Sequence, residues 1–172
     1  MEYAQGMTPE AAHEILQFLL PQLQQESATT RKLLAAVPAD QGDYQPSDRC
    51  MTGLALAGHI ALSEAFFLRG VLNGAFEWKP IDFKTPAEAL AYYDENIPSL
   101  IAQVGRMPGE KLAQTLTFVM WTEPAINLLN IGLKHTIHHR GQLSSYLRPM
   151  GAKVPGIYGP SADEPRQAAA GH

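Results

Sequence analysis

A single cysteine, Cys50, is the whole thiol complement of this 172-residue chain. No disulfide can therefore close within it, which fits a reducing cytoplasm. Positive charge is equally sparse: 13 Lys and Arg stand against 17 Asp and Glu, for a formal net charge of -4. No Lys/Arg block occurs anywhere, whereas a nucleic-acid binder carries a basic patch as its electrostatic footprint. No uninterrupted apolar run approaches the roughly 20 residues of a membrane span. Met1–Gly6 lacks the charged and apolar regions of a signal peptide. No stretch alternates cleanly with a period of two, and no internal repeat is visible. These absences lead us to expect a soluble, cytoplasmic, all-α protein with no nucleic-acid or membrane partner.

What is present is apolar material: 45% of residues are hydrophobic and only 17% charged, enough for a substantial core. The length suits one domain over residues 1–172, with a loop-rich tail from about residue 150. Four helices are expected. Thr8 can cap the first, with Pro9 at a position that loses no needed N–H. Ile15, Leu19, Leu23, Leu33 and Val37 keep helical spacing. Pro21 predicts a kink, and Pro38 marks the end. After a polar connection to Asp48, the second helix runs from about Met51 to Leu72, with Ala55, His59, Leu62 and Phe66 on one face. Asn73-Gly74 closes it. Thr85-Pro86-Ala87-Glu88 is a capping box that opens the third helix, which runs to about Gly105 and can be kinked or split at Pro98. Met107-Pro108-Gly109 reads as a turn, and Lys111–Thr122 as extended or loop. The fourth helix begins near Thr122 or Glu123 and runs to about Leu147.

The chemistry gathers on histidines. Three of the six fall in His135-Thr136-Ile137-His138-His139. Residues four apart share a helix face, so His135 and His139 project together, close enough to grip one ion. Leu128, Gly132, His135, His139, Gln142 and Tyr146 form one stripe at helical spacing, which we expect to face inward. His138 lies to its flank and is the weaker ligand. A third ligand must come from elsewhere, and His59 is the best donor: it stands among small and apolar residues, where an unpaired polar group is costly to bury. Three imidazoles with open positions make a catalytic type of coordination. Zinc, nickel, iron and copper all accept imidazole nitrogen. The competing reading is that these histidines are core residues satisfied by hydrogen bonds.

Other residues carry less. Gln142 can orient a ligand or bond to a neighbouring helix. Arg140 points off the stripe and reads as a surface or interface ion pair. Glu26 can serve as a general base, although a kink at Pro21 would shift its register, and solvent exposure is the reading adopted. Trp121, Glu123 and Tyr158 can line a pocket mouth or make core and dimer contacts. Glu10-Ala11-Ala12-His13 matches one di-iron element, but those bundles need two copies and further glutamates. Cys50 reads as an ordinary thiol.

The segment His135-Thr136-Ile137-His138-His139-Arg140-Gly141-Gln142 resembles the signature of the DinB/YfiT-like bacterial four-helix bundles, a His-x-x-x-His-Arg-x-Gln run preceded by a His in helix two. Leu56-Ala57-Gly58-His59-Ile60-Ala61 supplies the earlier part. Asp43-Tyr44-Gln45-Pro46 and Tyr158-Gly159-Pro160-Ser161-Ala162-Asp163 are similar to the family's first loop and tail. The resemblance spans about Thr8 to Asp163. It implies an up-down-down-up bundle, a divalent ion (zinc, nickel or iron) on His59, His135 and His139, and a homodimer. Some relatives use a low-molecular-weight thiol such as bacillithiol or mycothiol. The expected activity is a metal-dependent enzyme of thiol-transferase or hydrolase type, acting on a small molecule. A non-catalytic metal- or small-molecule-binding module in stress response is the alternative.

Overall fold

The computed structural model describes residues 6–164; the last part of the expected tail lies outside them. The four expected helices form as α1 (Pro9–Ala35), α2 (Gly53–Asn73), α3 (Pro86–Val104) and α5 (Ala125–Leu147). A short α4 (Gly109–Ala113) and the strands β1 (Thr115–Phe118) and β2 (Trp121–Pro124) lie between α3 and α5.

Local chemistry explains the helix ends. The Thr8, Thr52 and Thr85 hydroxyls accept from the backbone N–H groups of Ala11, Ala55 and Glu88, each satisfying an otherwise orphaned donor. Glu88 reaches back to the N–H of Lys84 at 2.7 Å, one residue before the cap. Gly74 ends α2 in the left-handed region, φ 73°, which costs glycine nothing. Neither internal proline ends its helix: α1 continues through Pro21 and α3 through Pro98. Both prolines are exposed, so the carbonyl each leaves without a partner can turn to water.

Side-chain contacts set the helix directions. Arg31 pairs with Asp94 while Leu20 lies against Gly105, so α1 and α3 are antiparallel. Gly58 meets Phe83, Glu64 meets Tyr93 and Arg69 meets Asn96, so α2 and α3 are parallel. Gly53 meets Met150 and Phe67 meets Gly132, so α5 runs against α2. The bundle is therefore up-down-down-up, with packing order α1–α3–α2–α5. α2 is the one described helix long and apolar enough to cross a membrane, and 72% of that apolar window is buried inside the bundle.

Two parallel helices in sequence require a connection that returns the length of a helix, about 30 Å at 1.5 Å per residue. The chain from Gly74 to Thr85 does this along the outside of α2. Phe76 packs on Gly70, Trp78 near Phe66 and His59, and Phe83 on Gly58.

Of the segment Lys111–Thr122, read as extended or loop, Lys111–Ala113 belong to α4 and the rest leads into a hairpin that runs to Pro124. Thr122 and Glu123, the expected start of the last helix, are therefore in β2, and α5 begins at Ala125. Thr115 pairs with Pro124 and Phe118 with Trp121, leaving Val119-Met120 as a two-residue turn. Val119 has φ 54°, an unusual value for a β-branched residue that the tight turn imposes. With only two short strands, the fold remains an all-α bundle.

Candidate metal centre

α2 and α5 bring the three expected histidines together. One ring nitrogen from each of His59, His135 and His139 lies within 4.8 Å of the others. The ring centroids stand 5.2 Å apart for His59 and His135, and 4.4 Å for each of the other two pairs. The close approach of the two helices comes from Gly132, one turn before His135. A Cβ there would stand 2.6 Å from the Cβ of Phe67, so only glycine allows this spacing.

The electrostatics favour neutral rings with free lone pairs. Burial lowers the pKa of His59, and the neighbouring His139 lowers it further. Burial first, then His139, His59 and His138, take His135 down to about 4. Burial also lowers His139, against the opposing effect of Gln142. His59 Nε2 and His135 Nδ1 are buried without a hydrogen-bond partner, a costly condition for a polar atom. Nδ1 of His139 lies 2.8 Å from Oε1 of Gln142, and Nε2 of Gln142 lies 3.2 Å from Nε2 of His138. In that arrangement His139 donates through Nδ1 and its Nε2 keeps a lone pair for a ligand. A metal ion is the partner that suits three neutral imidazoles, two of them with buried unsatisfied nitrogens, so the residues present fit one. His138 itself is exposed.

The register of α5 differs from the expected one. Leu128, Gly132 and Tyr146 of the expected stripe are buried, but the buried arc is centred on Leu129, Leu133, Thr136, Arg140, Leu143 and Leu147, roughly a quarter turn from the histidines at 100° per residue. The histidines occupy the edge of the buried face, and Gln142 is exposed. The α2 face of Ala55, His59, Leu62 and Phe66 is likewise the rim of a helix buried almost all round. These two rims form the walls of a cleft.

Arg140 is thus no surface residue. It is 1% exposed and pairs with Glu26 at 2.5 Å. It also donates to the Glu26 carbonyl at 3.1 Å and the Tyr158 hydroxyl at 2.7 Å, and Tyr158 donates to Glu26 at 3.1 Å. Glu26 is half-buried rather than solvent-exposed, and its carboxylate is engaged here. Tyr158 belongs to this tie between α5, α1 and the tail, not to the cleft. Asp163 anchors the tail further, accepting from Arg148 and from the N–H of Val154. Glu123 accepts from Asn127. His13 is exposed beside Gln17.

One buried acid escaped the sequence reading. Glu64, on α2, is 7% exposed and accepts from the Tyr93 hydroxyl at 2.8 Å. Burial raises its pKa to about 7, against the opposing pull of Tyr93 and Arg140. Ile60, Ala61, Phe67 and Leu68 flank it at helical spacing, so the apolar pattern that marks His59 marks Glu64 as well.

Two cavities meet at His59, separated by Trp78. One, of about 440 Å³, is walled by Phe66, Phe67, Phe118, Trp121 and Ile131 and also touches His135. The other, of about 530 Å³, runs toward Thr52, Ile81, Asp82 and Phe83. Of the expected mouth residues, Trp121 is in place.

The model of the DinB family matches residues 13–169. The chain belongs to the DinB family. It is 24% identical to YrdA, an uncharacterized protein of Bacillus subtilis, over 81% of this chain and 85% of that one. It is 25% identical to YjoA, an uncharacterized protein of the same organism, over 71% and 82% of the two chains. The crystal structure of YjoA, a DinB-like protein, superposes with a TM-score of 0.70 at 20% identity, covering 83% of this chain and 97% of that one. A DinB-like protein from Bacillus cereus superposes with a TM-score of 0.71 at 22% identity, over 81% and 95%. These likenesses establish the DinB bundle fold, and the histidine cluster of this member is placed so that it could hold a metal ion.

Proposed function

We infer that this DinB protein is a metal-dependent enzyme of thiol-transferase or hydrolase type, with one divalent ion on His59, His135 and His139. The observation that carries the reading is the pair of orphaned buried nitrogens on His59 and His135 in the wall of an open cavity. A core histidine satisfied by hydrogen bonds would show neither feature. When bound, the ion supplies Lewis acidity, which activates a thiol or a water at neutral pH. The chain does the rest. Gln142 holds His139 in one tautomer, the low pKa of His135 keeps that ring unprotonated, and the aromatic walls exclude water and strengthen electrostatics inside the cleft.

A second reading is a non-catalytic metal- or small-molecule-binding module. It is favoured by the lining of the apolar cavity, where the described residues include no Asp, Glu, Lys or Arg. Turnover with a thiol cosubstrate separates the two readings.

Metal content, measured by mass spectrometry on untagged protein purified without chelator, tests the site itself. We expect about one metal per chain in wild type, retention in His138→Ala, and loss in His59→Ala and His135→Ala. Wild type that holds no metal after reconstitution with zinc and with nickel refutes the reading, as does equal affinity in the His135 and His138 variants.

A further inference from the structure

We propose that the apolar cavity beside the triad binds an aromatic body of a small-molecule substrate that presents a single polar donor toward the three histidines. This deepens the metal-enzyme reading and rests on it only for the donor end. The walls come from four separate segments: Phe66 and Phe67 from α2, Trp78 from the α2–α3 connection, Phe118 and Trp121 from the hairpin, and Ile131 from α5. The cavity of about 440 Å³ falls within the usual range of small-molecule sites, about 300–1,000 Å³.

Wall chemistry selects the occupant. Apart from the rings of His59 and His135, the polar atoms of the lining side chains are the Ser63 hydroxyl and two indole N–H groups. Ser63 already donates to the Ile60 carbonyl. A ligand rich in hydroxyl, carboxylate or ammonium groups would lose its hydration here without recovering partners. An aromatic ring would join rings that already meet edge to face. Phe66 and Phe67 stand 5.5 Å apart at 76°, and Phe67 and Phe118 5.3 Å apart at 71°; such geometry favours further aromatic contact. The lining nitrogens with free lone pairs are those of His59 and His135, whereas the hairpin contributes Phe118 and the indole of Trp121. A ligand is thereby oriented with its donor at the histidines and its apolar body toward the hairpin.

The two tryptophans of the chain, Trp78 and Trp121, both line this cavity; Trp78 also borders the neighbouring one, so intrinsic fluorescence reports binding and variants at Trp121 and Ile131 place it in this cavity. We would titrate zinc-loaded and EDTA-stripped protein with imidazole, 4-phenylimidazole and imidazole-4-acetate, following fluorescence and thermal shift. On zinc-loaded protein, 4-phenylimidazole is expected to bind at least about tenfold more tightly than imidazole, from burial of the phenyl ring. Imidazole-4-acetate should gain nothing over imidazole. The preference for the phenyl ring should fall toward unity in Trp121→Ser and in Ile131→Gln; Trp121 is 45% exposed and Ile131 half-buried, and the thermal midpoint and zinc affinity of each ligand-free variant check that the fold is kept.

Zinc and imidazole binding without a preference for the phenyl group would overturn the aromatic pocket and leave the metal site standing. Failure of zinc to bind, with 4-phenylimidazole still quenching the stripped protein, would sustain the pocket and remove the metal reading. A tryptophan spectrum that shifts with protein concentration and ignores all three probes would put a second copy of the chain in the cavity and overturn the proposal.

Discussion

Replacing Glu64 by glutamine should flatten one component of the pH dependence of stability. The Glu64 carboxyl is 7% exposed, and burial raises its pKa from 4.5 to about 7. In the unfolded chain the group returns to its ordinary value. Below that value both states hold the proton, and Glu64 contributes nothing to the slope. Between the two values the folded state retains a proton that the unfolded state has released, so stability falls as pH rises. Above about 7 both states are ionised and the loss is complete. At about 1.4 kcal/mol per tenfold change, the displacement corresponds to about 3 kcal/mol. The amide of the Glu64→Gln variant keeps an oxygen that can accept from Tyr93 but cannot ionise. The triad histidines act in the opposite direction: their pKa values are lowered by burial, so their contribution is present above the ordinary histidine pKa and is lost as pH falls. Both proteins share that slope, so the difference between them isolates Glu64. Urea unfolding in EDTA, followed by circular dichroism from about pH 5 to about pH 8, should show the variant gaining about 3 kcal/mol relative to wild type as pH rises. A difference constant to within about 0.5 kcal/mol across that range would refute the argument.

Gly132→Ala should separate α2 from α5, because the new Cβ would meet the backbone-anchored Cβ of Phe67 at 2.6 Å. Overpacking of about 1–3 kcal/mol should outweigh the gain of about 1 kcal/mol in helix propensity, and zinc affinity, read by competition with a chromophoric chelator, should fall by about tenfold or more as His59 moves from its partners. Arg140→Met should cost about 3–5 kcal/mol in urea, since it leaves the Glu26 carboxylate without its cation, whereas the double variant with Glu26→Met should recover most of the loss.

Sequence spacing was a good guide wherever the decisive interaction is local. The caps at Thr8 and Thr85, the glycine that ends α2 and the shared direction of His135 and His139 all depend on residues within one or two turns. His59 was also legible, because an imidazole among small apolar residues stands out by its cost. The register of α5 was misjudged because a bundle helix has two neighbours. Contact with α1 as well as α2 widens the buried arc and turns its centre toward Arg140, leaving the histidines on the rim. The hairpin is hard to read because its strands are four residues each: Thr115-Leu116-Thr117-Phe118 alternates in sequence and in burial, but Trp121-Thr122-Glu123-Pro124 does not. Glu64 carries the same mark as His59, an ionisable group among apolar neighbours at helical spacing, whereas the aromatic walls come from separate segments and no local pattern joins them.

Local sequence marks the four helices to within a few residues, and it puts two histidines on one face with a third on another helix. The tertiary structure alone decided which faces meet. It placed Arg140 and Glu64 inside, tied Glu26 and Tyr158 to the arginine rather than to the cleft, and assembled one cavity from side chains scattered between Phe66 and Ile131. Capping and spacing act over a few residues and survive in any context, whereas burial depends on what packs opposite. That is settled only when the return of the α2–α3 connection along α2 and the closeness permitted by Gly132 bring distant segments against one another.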